Sequence, residues 1–387
     1  MDLATATALL TRWSAINSGS DAAEGLRVMG DALAEGFRLI PDVSVEAVAL
    51  PNTGAKAIRV TCRETHPFRI LFSGHYDTVY GRDHPFQTTT RVDGTTLRGP
   101  GVADMKGGLV VLLSALLQFE ALPGSKTFGW EALFTPDEEI GSPFSASLIR
   151  EAAARSSLGL VFEPARENGD LVRARMGTGI FTLACHGRAA HAGRDPKLGR
   201  NAIVELARVI GQVDALGSLL PQVLINVGRI EGGGAVNIVP PFAKAEVNIR
   251  IARASDAREV LSRLDRIAES VRARDGYRLE VSGQFNRLPK EIGPEEERLF
   301  GVWQALGALE GLVLGWQDVG GGSDGNLMSE IGLPSLDGLG VVGGCLHSPE
   351  EYALLPSLTA RASLAVRFLN AVNSGEVPLP GNRAKKG

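Results

Sequence analysis

The chain has 387 residues, enough for two or three domains at roughly 150 residues per domain, and its 44% apolar and 6% aromatic content is ordinary for a soluble protein. The 40 basic and 44 acidic side chains leave a net charge of −4, which argues against a nucleic-acid or anionic-membrane partner. Three widely spaced cysteines exclude a disulfide scaffold and a thiolate zinc site, so a metal would need carboxylates and some of the six histidines.

The N-terminal segment predicts an amphipathic helix, because Leu3, Leu9, Leu10, Trp13 and Ile16 fall on one helical face. The segment lacks the cationic start of a signal peptide. No apolar run approaches the roughly 18 residues of a membrane span. We therefore expect a cytoplasmic protein without a membrane segment.

The first half of the chain alternates apolar strands with one strong helix. The strands are predicted over 68–72, 130–134 and 158–162, and the helix over 107–122. Strands separated by helices predict a three-layer α/β/α domain with a largely parallel sheet. Such sheets bind ligands at the carboxyl ends of their strands, which is where the polar residues of interest lie.

The pattern changes near residue 179 to the order βαββαβ of a ferredoxin-like unit. Its elements are predicted over 180–185, 201–216, 222–229, 243–251, 257–274 and 278–283. We predict that residues 179–288 form a domain inserted into a first domain that comprises 1–178 and 289–387. The first pattern resumes with a helix over 294–308, and the tail 381–387 is predicted to be disordered.

Two motifs place polar side chains beside the predicted elements of the first domain. Residues i and i+2 of an extended chain project to the same side, so Asp77 can hold the second imidazole nitrogen of His75. An isolated pair of this kind is also found as a simple hydrogen bond at a strand end. Asp104 precedes the long helix, where it could be an N-cap. The four glycines around Asp104 indicate a close backbone approach that a cap does not need.

Further carboxylates follow the next strands. Residues 137–139 are three consecutive acids after a buried strand; unless they form a solvated loop, they would repel one another without a cation. Glu163 ends the following strand, and His347 follows a glycine-rich stretch. Imidazoles and carboxylates at one sheet edge suit zinc, manganese or cobalt.

The candidate ligands are His75, Asp104, Glu139, Glu163 and His347. Their three carboxylates and one hydroxide would neutralise two divalent ions. If Asp104 bridges, each ion receives one imidazole and one terminal carboxylate. Glu138, beside a ligand but free, is then the candidate general base.

Seven motifs between about residues 70 and 355 resemble, in order and spacing, those of the zinc-dependent exopeptidases and amidohydrolases. They are GHYDTV, GPGVADMKGG, DEEIGS, FEPA, GRAAHAG, GGSDGN and GGCLHSPEEY. That family includes carboxypeptidase G, acetylornithine deacetylase and succinyl-diaminopimelate desuccinylase, and the carboxypeptidase G branch is the most similar. The resemblance implies that His75 and Glu163 bind one metal, that Glu139 and His347 bind the other, and that Asp104 bridges them.

The resemblance also implies that Asp77 orients His75, that Glu138 is the base, and that the Asp104–Met105 peptide bond is cis. It implies two Zn²⁺ per subunit, with Co²⁺ or Mn²⁺ as substitutes. The inserted domain would serve as a dimerisation and lid domain, and the protein would be a homodimer.

Two residues of the inserted domain are implied to take part in catalysis or substrate binding. His191, which alone would more simply be structural, is implied to reach the partner subunit's active site and stabilise the oxyanion. Asn237 resembles a substrate-binding asparagine, although it could equally cap a turn.

Other residues are candidates for binding the substrate. The glycine-rich segment with Gly322 and Ser323 lacks the Lys-Ser/Thr ending of a phosphate loop, and resembles a tight backbone near the substrate's carboxylate. Arg173, Arg175 and Arg287 lie in regions where the carboxypeptidase G branch binds that carboxylate. The alternative for each arginine is an ordinary surface position.

These features predict a dinuclear metal hydrolase that cleaves the amide bond of an N-acyl amino acid or short peptide next to a free carboxylate. The alternatives are an acetylornithine deacetylase-like deacylase and a dipeptidase or aminopeptidase, which would need a group to hold a free amine. A non-catalytic, metal-stabilised binding protein would have lost Glu138 or a ligand, and none is lost.

Overall fold

A computed structural model describes residues 1–380, so the prediction for the tail 381–387 lies outside the described residues. The helices are α1 (Leu3–Ser14), α2 (Ala23–Phe37), α3 (Lys106–Ala121), α4 (Ala146–Ala154), α5 (Ala202–Leu219), α6 (Ala254–Arg272), α7 (Pro294–Leu309), α8 (Asp324–Glu330) and α9 (Pro356–Asn373). The strands are β1 (Ser44–Ala49), β2 (Lys56–Cys62), β3 (Arg69–His75), β4 (Thr90–Arg91), β5 (Thr96–Arg98), β6 (Gly129–Thr135), β7 (Leu158–Val161), β8 (Leu171–Arg175), β9 (Gly177–His186), β10 (Val223–Gly232), β11 (Phe242–Ile251), β12 (Arg278–Arg287), β13 (Trp316–Val319), β14 (Ser335–Leu336), β15 (Gly343–Gly344) and β16 (Tyr352–Leu354).

The chain divides into two units. The larger comprises residues 1–174 and 292–319 together with the described residues from 323 onward. The smaller comprises residues 175–291 and 320–322.

The larger unit is built on a six-stranded sheet in the order β1-β2-β6-β3-β7-β14. Strands β6, β3, β7 and β14 are mutually parallel, whereas β1 and β2 add an antiparallel edge. The central strands β3, β6 and β7 are almost entirely buried, as expected for a sheet covered on both faces.

The two faces of this sheet carry separate cores, because successive side chains of a strand point to opposite faces. Phe72 packs in a cluster with residues of α1, α2, α3 and α9. Its neighbour Leu71 packs in a second cluster with Ile149 of α4 and Leu327 of α8. Helix α3 is apolar around nearly its whole circumference and is buried accordingly. The unit is thus the predicted three-layer α/β/α fold.

The smaller unit is an antiparallel sheet in the order β10-β11-β9-β12, with α5 and α6 connecting its strands. Val209 of α5 and Leu264 of α6 pack in one cluster with Leu183, Val247 and Leu279 of the sheet. This is the predicted ferredoxin-like βαββαβ arrangement. Among residues 1–380, no helix combines the length and the apolar character needed to cross a membrane.

The larger unit also contains a small sheet in the order β15-β16-β5-β4, which the sequence analysis did not predict. Its strands are two or three residues long, and the pairing of β16 with β5 joins two segments that are far apart along the chain. Tyr352 of β16 lies opposite Arg98 of β5. This pairing places the loop after β5 beside the loop before β16.

Candidate metal centre

Three strands of the larger sheet end at the same edge and carry candidate residues there. His75 is the last residue of β3 and lies in register with Thr135, the last residue of β6. Glu138 and Glu139 follow β6 in a single 3-10 turn, Glu138–Ile140. Glu163 follows β7 by two residues. The parallel register therefore gathers one imidazole and several carboxylates at the carboxyl edge.

The acidic triplet after β6 separates into two parts. Asp137 turns toward the start of α4, where it accepts the Phe144 N–H at 2.7 Å and the Ser145 hydroxyl at 2.5 Å. Glu138 and Glu139 instead face the cluster of His75 and its neighbours. Only two of the three consecutive acids are thus available to a metal.

Asp104 and His347 reach the cluster from the loops that the small sheet brings together. Asp104 lies after β5, its peptide bond to Met105 is cis as the resemblance implies, and α3 begins one residue later. Its carboxylate is not an N-cap, because the N-cap of α3 is Met105. His347 lies before β16 with a φ of 60°, a backbone region that residues other than glycine rarely adopt.

The carboxylate of Asp104 lies between the two imidazoles. Its Oδ1 is 3.1 Å from Nε2 of His75, and its Oδ2 is 3.4 Å from Nε2 of His347. Each imidazole also faces a second acid: Glu163 Oε1 is 3.7 Å from His75 Nε2, and Glu139 Oε2 is 3.1 Å from His347 Nε2. The structure brings all five predicted ligands together, with the aspartate central.

Asp77 holds several parts of the site in place. Its Oδ1 is 3.2 Å from Nδ1 of His75, on the imidazole side that faces away from Asp104. The same carboxylate accepts the backbone N–H groups of Glu138 and Glu139, each at 3.1 Å, and the hydroxyl of Ser20 at 2.8 Å. Asp77 is completely buried. It therefore fixes both the imidazole and the turn that carries the two glutamates.

The electrostatics of the cluster favour added positive charge. Hydrogen bonds to Asp104 and Glu139 raise the pKa of His347 to about 11, and burial together with the Asp104 charge raises the pKa of Glu139 to about 8. Burial opposes protonation of His75, but Asp104 and Asp77 outweigh it and raise its pKa. Burial likewise opposes ionisation of Asp104, but the two histidines outweigh it and lower its pKa. The two imidazoles and Glu139 thus hold protons where a divalent cation could replace them, while Asp104 stays ionised between them.

The donor set fits a metal. His75, Asp104 and Glu139 offer atoms within 4.8 Å of one another, and so do His75, Glu138 and Glu163. His75, Glu138 and Glu163 are almost fully buried, and buried carboxylates without compensating charge are costly. Nitrogen and carboxylate oxygen donors are those that zinc, cobalt and manganese accept.

His191 and Asn237, predicted separately from distant motifs, lie side by side in the smaller unit. His191 pairs with Ile238 in an isolated bridge, and the Ala192 N–H donates to the carbonyl of Asn237 at 2.9 Å. Nδ1 of His191 accepts the N–H groups of Gly193 and Arg194, each at 3.1 Å, so Nε2 is the nitrogen directed away from its own loop. Both residues are exposed.

The three arginines occupy different environments. Arg173 is partly exposed and pairs with Asp318 at 3.0 Å. The surface alternative is wrong for Arg175 and Arg287, which are 8% and 4% exposed. Nη1 of Arg175 lies 3.4 Å from the carbonyl of Gly322, within the smaller unit.

Ser323 belongs to the larger unit, where it is fully buried at the N-cap of α8. Its hydroxyl donates to Asp337 at 3.0 Å, and it also accepts the Gly325 N–H at 3.0 Å. These contacts give Ser323 a structural role in shaping the start of α8.

A three-layer α/β unit with imidazoles and carboxylates gathered at the carboxyl edge of its sheet has the architecture of a metal-dependent hydrolase. Comparison with known proteins agrees: residues 71–371 match peptidase family M20/M25/M40. The chain belongs to this family of metallopeptidases.

Individual relatives span nearly the whole chain. Carboxypeptidase G2 of Pseudomonas sp. (strain RS-16) is 28% identical over 370 residues, which cover 93% of this chain and 88% of that protein. The aminopeptidase PepT of Bacillus cereus ATCC 10987 superposes with a TM-score of 0.79 at 21% identity, covering 96% of this chain and 99% of that one. The Bacillus subtilis YXEP protein, described as a dinuclear metal binding peptidase of the M20 family, gives a TM-score of 0.67 at 16% identity, covering 96% and 99%. At these identities the two structures establish the fold alone.

Proposed function

We propose that this protein is a dinuclear zinc hydrolase that cleaves the amide bond of an N-acyl amino acid or short peptide next to a free carboxylate. The observation that carries the proposal is the Asp104 carboxylate, whose two oxygens face two different imidazoles at 3.1 and 3.4 Å. A carboxylate so placed can share its oxygens between two cations. The similarity to carboxypeptidase G2 over 93% of the chain supports the choice of substrate class.

The contacts support one division of the ligands. His75 and Glu163 would hold one ion, since their donor atoms lie 3.7 Å apart, and His347 and Glu139 would hold the other, since theirs lie 3.1 Å apart. Asp104 would serve both. The donor set suits two Zn²⁺, with Co²⁺ or Mn²⁺ as substitutes. When bound, such ions polarise a carbonyl and acidify a water molecule.

Glu138 is the proposed general base. Its backbone N–H is held by Asp77 at 3.1 Å, and its carboxylate lies within the cluster of His75 and Glu163. Glu138 would take a proton from the attacking water and deliver it to the leaving amine nitrogen, which needs a carboxyl group that can move between both positions. Asp77 would keep His75 in the correct tautomer and orientation.

The smaller unit would contribute through a homodimer. We propose that it mediates dimerisation and that His191 of the partner subunit donates to the oxyanion of the tetrahedral intermediate. The exposed position of His191 and the outward direction of its Nε2 support this role. Asn237, which lies beside His191, would bind the same ligand.

The substrate's carboxylate needs a cationic partner. Among the arginines, Arg175 and Arg287 are the better candidates, because their burial makes a charge-assisted bond to a carboxylate stronger than it is at the surface. Gly322, beside Arg175, would contribute backbone atoms to the binding of the substrate's carboxylate. Ser323 would contribute indirectly, by holding the start of α8. Arg173, which pairs with Asp318, would contribute less.

A second candidate function is an aminopeptidase or dipeptidase, and a third is a deacylase of the acetylornithine deacetylase type. The similarity to the PepT structure is the reason for considering an aminopeptidase, although this similarity establishes only the fold. An aminopeptidase must recognise a free amine, whereas the proposed enzyme must recognise a free carboxylate.

A panel on the zinc-loaded protein separates the three functions. N-benzoyl glutamate, the same compound with its α-carboxylate amidated, N-acetyl ornithine and an unblocked dipeptide would be compared by kcat/KM. The proposal predicts hydrolysis of the first and loss of hydrolysis on amidation. Indifference to amidation would contradict it, and hydrolysis of the unblocked dipeptide without hydrolysis of the N-acyl compounds would identify a dipeptidase or aminopeptidase instead.

A further inference from the structure

Glu351, to which the sequence analysis assigned no role, lies four residues after His347 and is almost completely buried. Its Oε1 accepts the backbone N–H groups of Ala103 and Asp104, each at 3.0 Å. Its Oε2 accepts the hydroxyl of Tyr80 at 2.8 Å and the Gly101 N–H at 3.3 Å. The two oxygens of Glu351 thus accept four hydrogen bonds, one from the Tyr80 side chain and three from the backbone of residues 101–104.

These contacts join three loops, which carry three of the five proposed ligands: His75, Asp104 and His347. The backbone carbonyl of Glu351 accepts the Gly99 N–H at 3.1 Å, so side chain and backbone together span the loop from Gly99 to Asp104. Tyr80, which follows the His75 and Asp77 segment, also lies 2.9 Å from the carbonyl of Ser348, next to His347. A displacement of Glu351 would therefore be transmitted to all three loops.

We propose that Glu351 is a positioning residue of the metal centre: it fixes the backbone of Asp104 so that the aspartate carboxylate lies between His75 and His347. The inference rests on the proposed function, since it assumes that these three residues hold metal. Glu351 is not itself a ligand, because its two oxygens are occupied by backbone and tyrosine donors.

Different substitutions of Glu351 separate the effect of its hydrogen bonds from the effect of its negative charge. In Glu351→Gln, the amide oxygen can still accept from Ala103 and Asp104, and Tyr80 can donate to Ser348 instead. In Glu351→Asp the charge remains, but the side chain is shorter by one carbon–carbon bond of about 1.5 Å and cannot reach all four donors. Glu351→Ala leaves buried N–H groups without an acceptor.

Glu350 provides a matched control. It is the neighbouring residue, but its side chain is 65% exposed and contacts Arg98 at 3.2 Å. Glu350→Gln removes one negative charge beside the same loop without touching the bonds to Asp104. Exposed ion pairs of this kind contribute little to stability.

The experiment measures zinc affinity by chelator competition on the zinc-loaded full chain, the visible spectrum of the cobalt-loaded protein, and thermal unfolding of the metal-free protein. We expect Glu351→Ala and Glu351→Asp to weaken zinc binding by about 10- to 100-fold and to alter the cobalt spectrum. Glu351→Gln should lose less zinc affinity than either of these variants. Glu350→Gln should match the unsubstituted protein in both zinc affinity and cobalt spectrum.

If Glu351→Ala does not fold, the zinc affinities and cobalt spectra of Glu351→Asp and Glu351→Gln test the proposal. Unchanged zinc affinity and cobalt spectrum in a folded Glu351→Asp variant, with only a lower unfolding temperature, would overturn the proposal and leave Glu351 a structural residue. If the unsubstituted protein and Glu350→Gln themselves bind no zinc, it is the proposed function that fails.

Discussion

Loading the metal-free protein with zinc should release protons, and their number follows from the structure. At pH 7 the metal-free cluster retains protons on His75 and His347, because neighbouring acids raise both pKa values, that of His347 to about 11. Glu139, with its pKa raised to about 8, also retains most of its proton at pH 7. Metal ligands must be deprotonated. Loading should therefore displace two to three protons per chain from these three side chains, on the order of one per group, besides any proton that an acidified water molecule releases.

The dependence on pH has a definite sign. Glu139 loses its own proton as the pH rises through about 8, so its contribution to proton release should disappear above that pH. The contribution of His347 should persist until the pH approaches about 11. Proton release should thus fall by about one proton between pH 7 and pH 9.5.

The assay is isothermal titration calorimetry of zinc into metal-free protein, in buffers of matched pH and different ionisation enthalpy. His347→Ala should lower the number of released protons, whereas His66→Ala, at a half-buried position outside the cluster, should not. Release of fewer than one proton at pH 7, or the same release in His347→Ala, would refute the assignment of the histidines as ligands.

Three further substitutions test individual roles. Glu138→Ala should abolish turnover while metal content stays near two ions per chain; metal loss measured by mass spectrometry would make Glu138 a ligand rather than the base. His191→Ala should lower kcat with metal content unchanged. Mixed dimers of Glu138→Ala and His191→Ala subunits should regain activity, because one of their two active sites keeps both Glu138 and the partner's His191. If the mixed dimers recover no activity, a site shared between subunits is excluded. Asp77→Asn should weaken zinc binding by about 10- to 100-fold in chelator competition, because Asp77 faces His75 and holds the Glu138 turn, and unchanged binding would leave it a purely structural residue.

Local sequence patterns predicted the residues at the ends of the apolar strands of the larger sheet. His75, Glu139 and Glu163 each follow an apolar run, and the parallel order of those runs brings their ends to one edge. The inserted unit was predicted for the same reason, since its strands and helices are long enough to carry a clear period.

Short-range patterns could not reveal contacts made by very short elements. Strands β5 and β16 have three residues each, too few for a period, yet their pairing sets Asp104 beside His347 and creates the role of Glu351. The bridge that joins His191 to the Asn237 segment is a single pair. The burial of Arg175 and Arg287 likewise depends on packing between distant segments.

The central claim is that Asp104 places its two oxygens on two metal ions. Anomalous diffraction at the zinc edge from crystals of the zinc-loaded protein tests it most directly. The account predicts two peaks, each about 2.0–2.2 Å from one Asp104 oxygen, one beside His75 and the other beside His347. A single peak, or two peaks of which either lies away from Asp104, would contradict it.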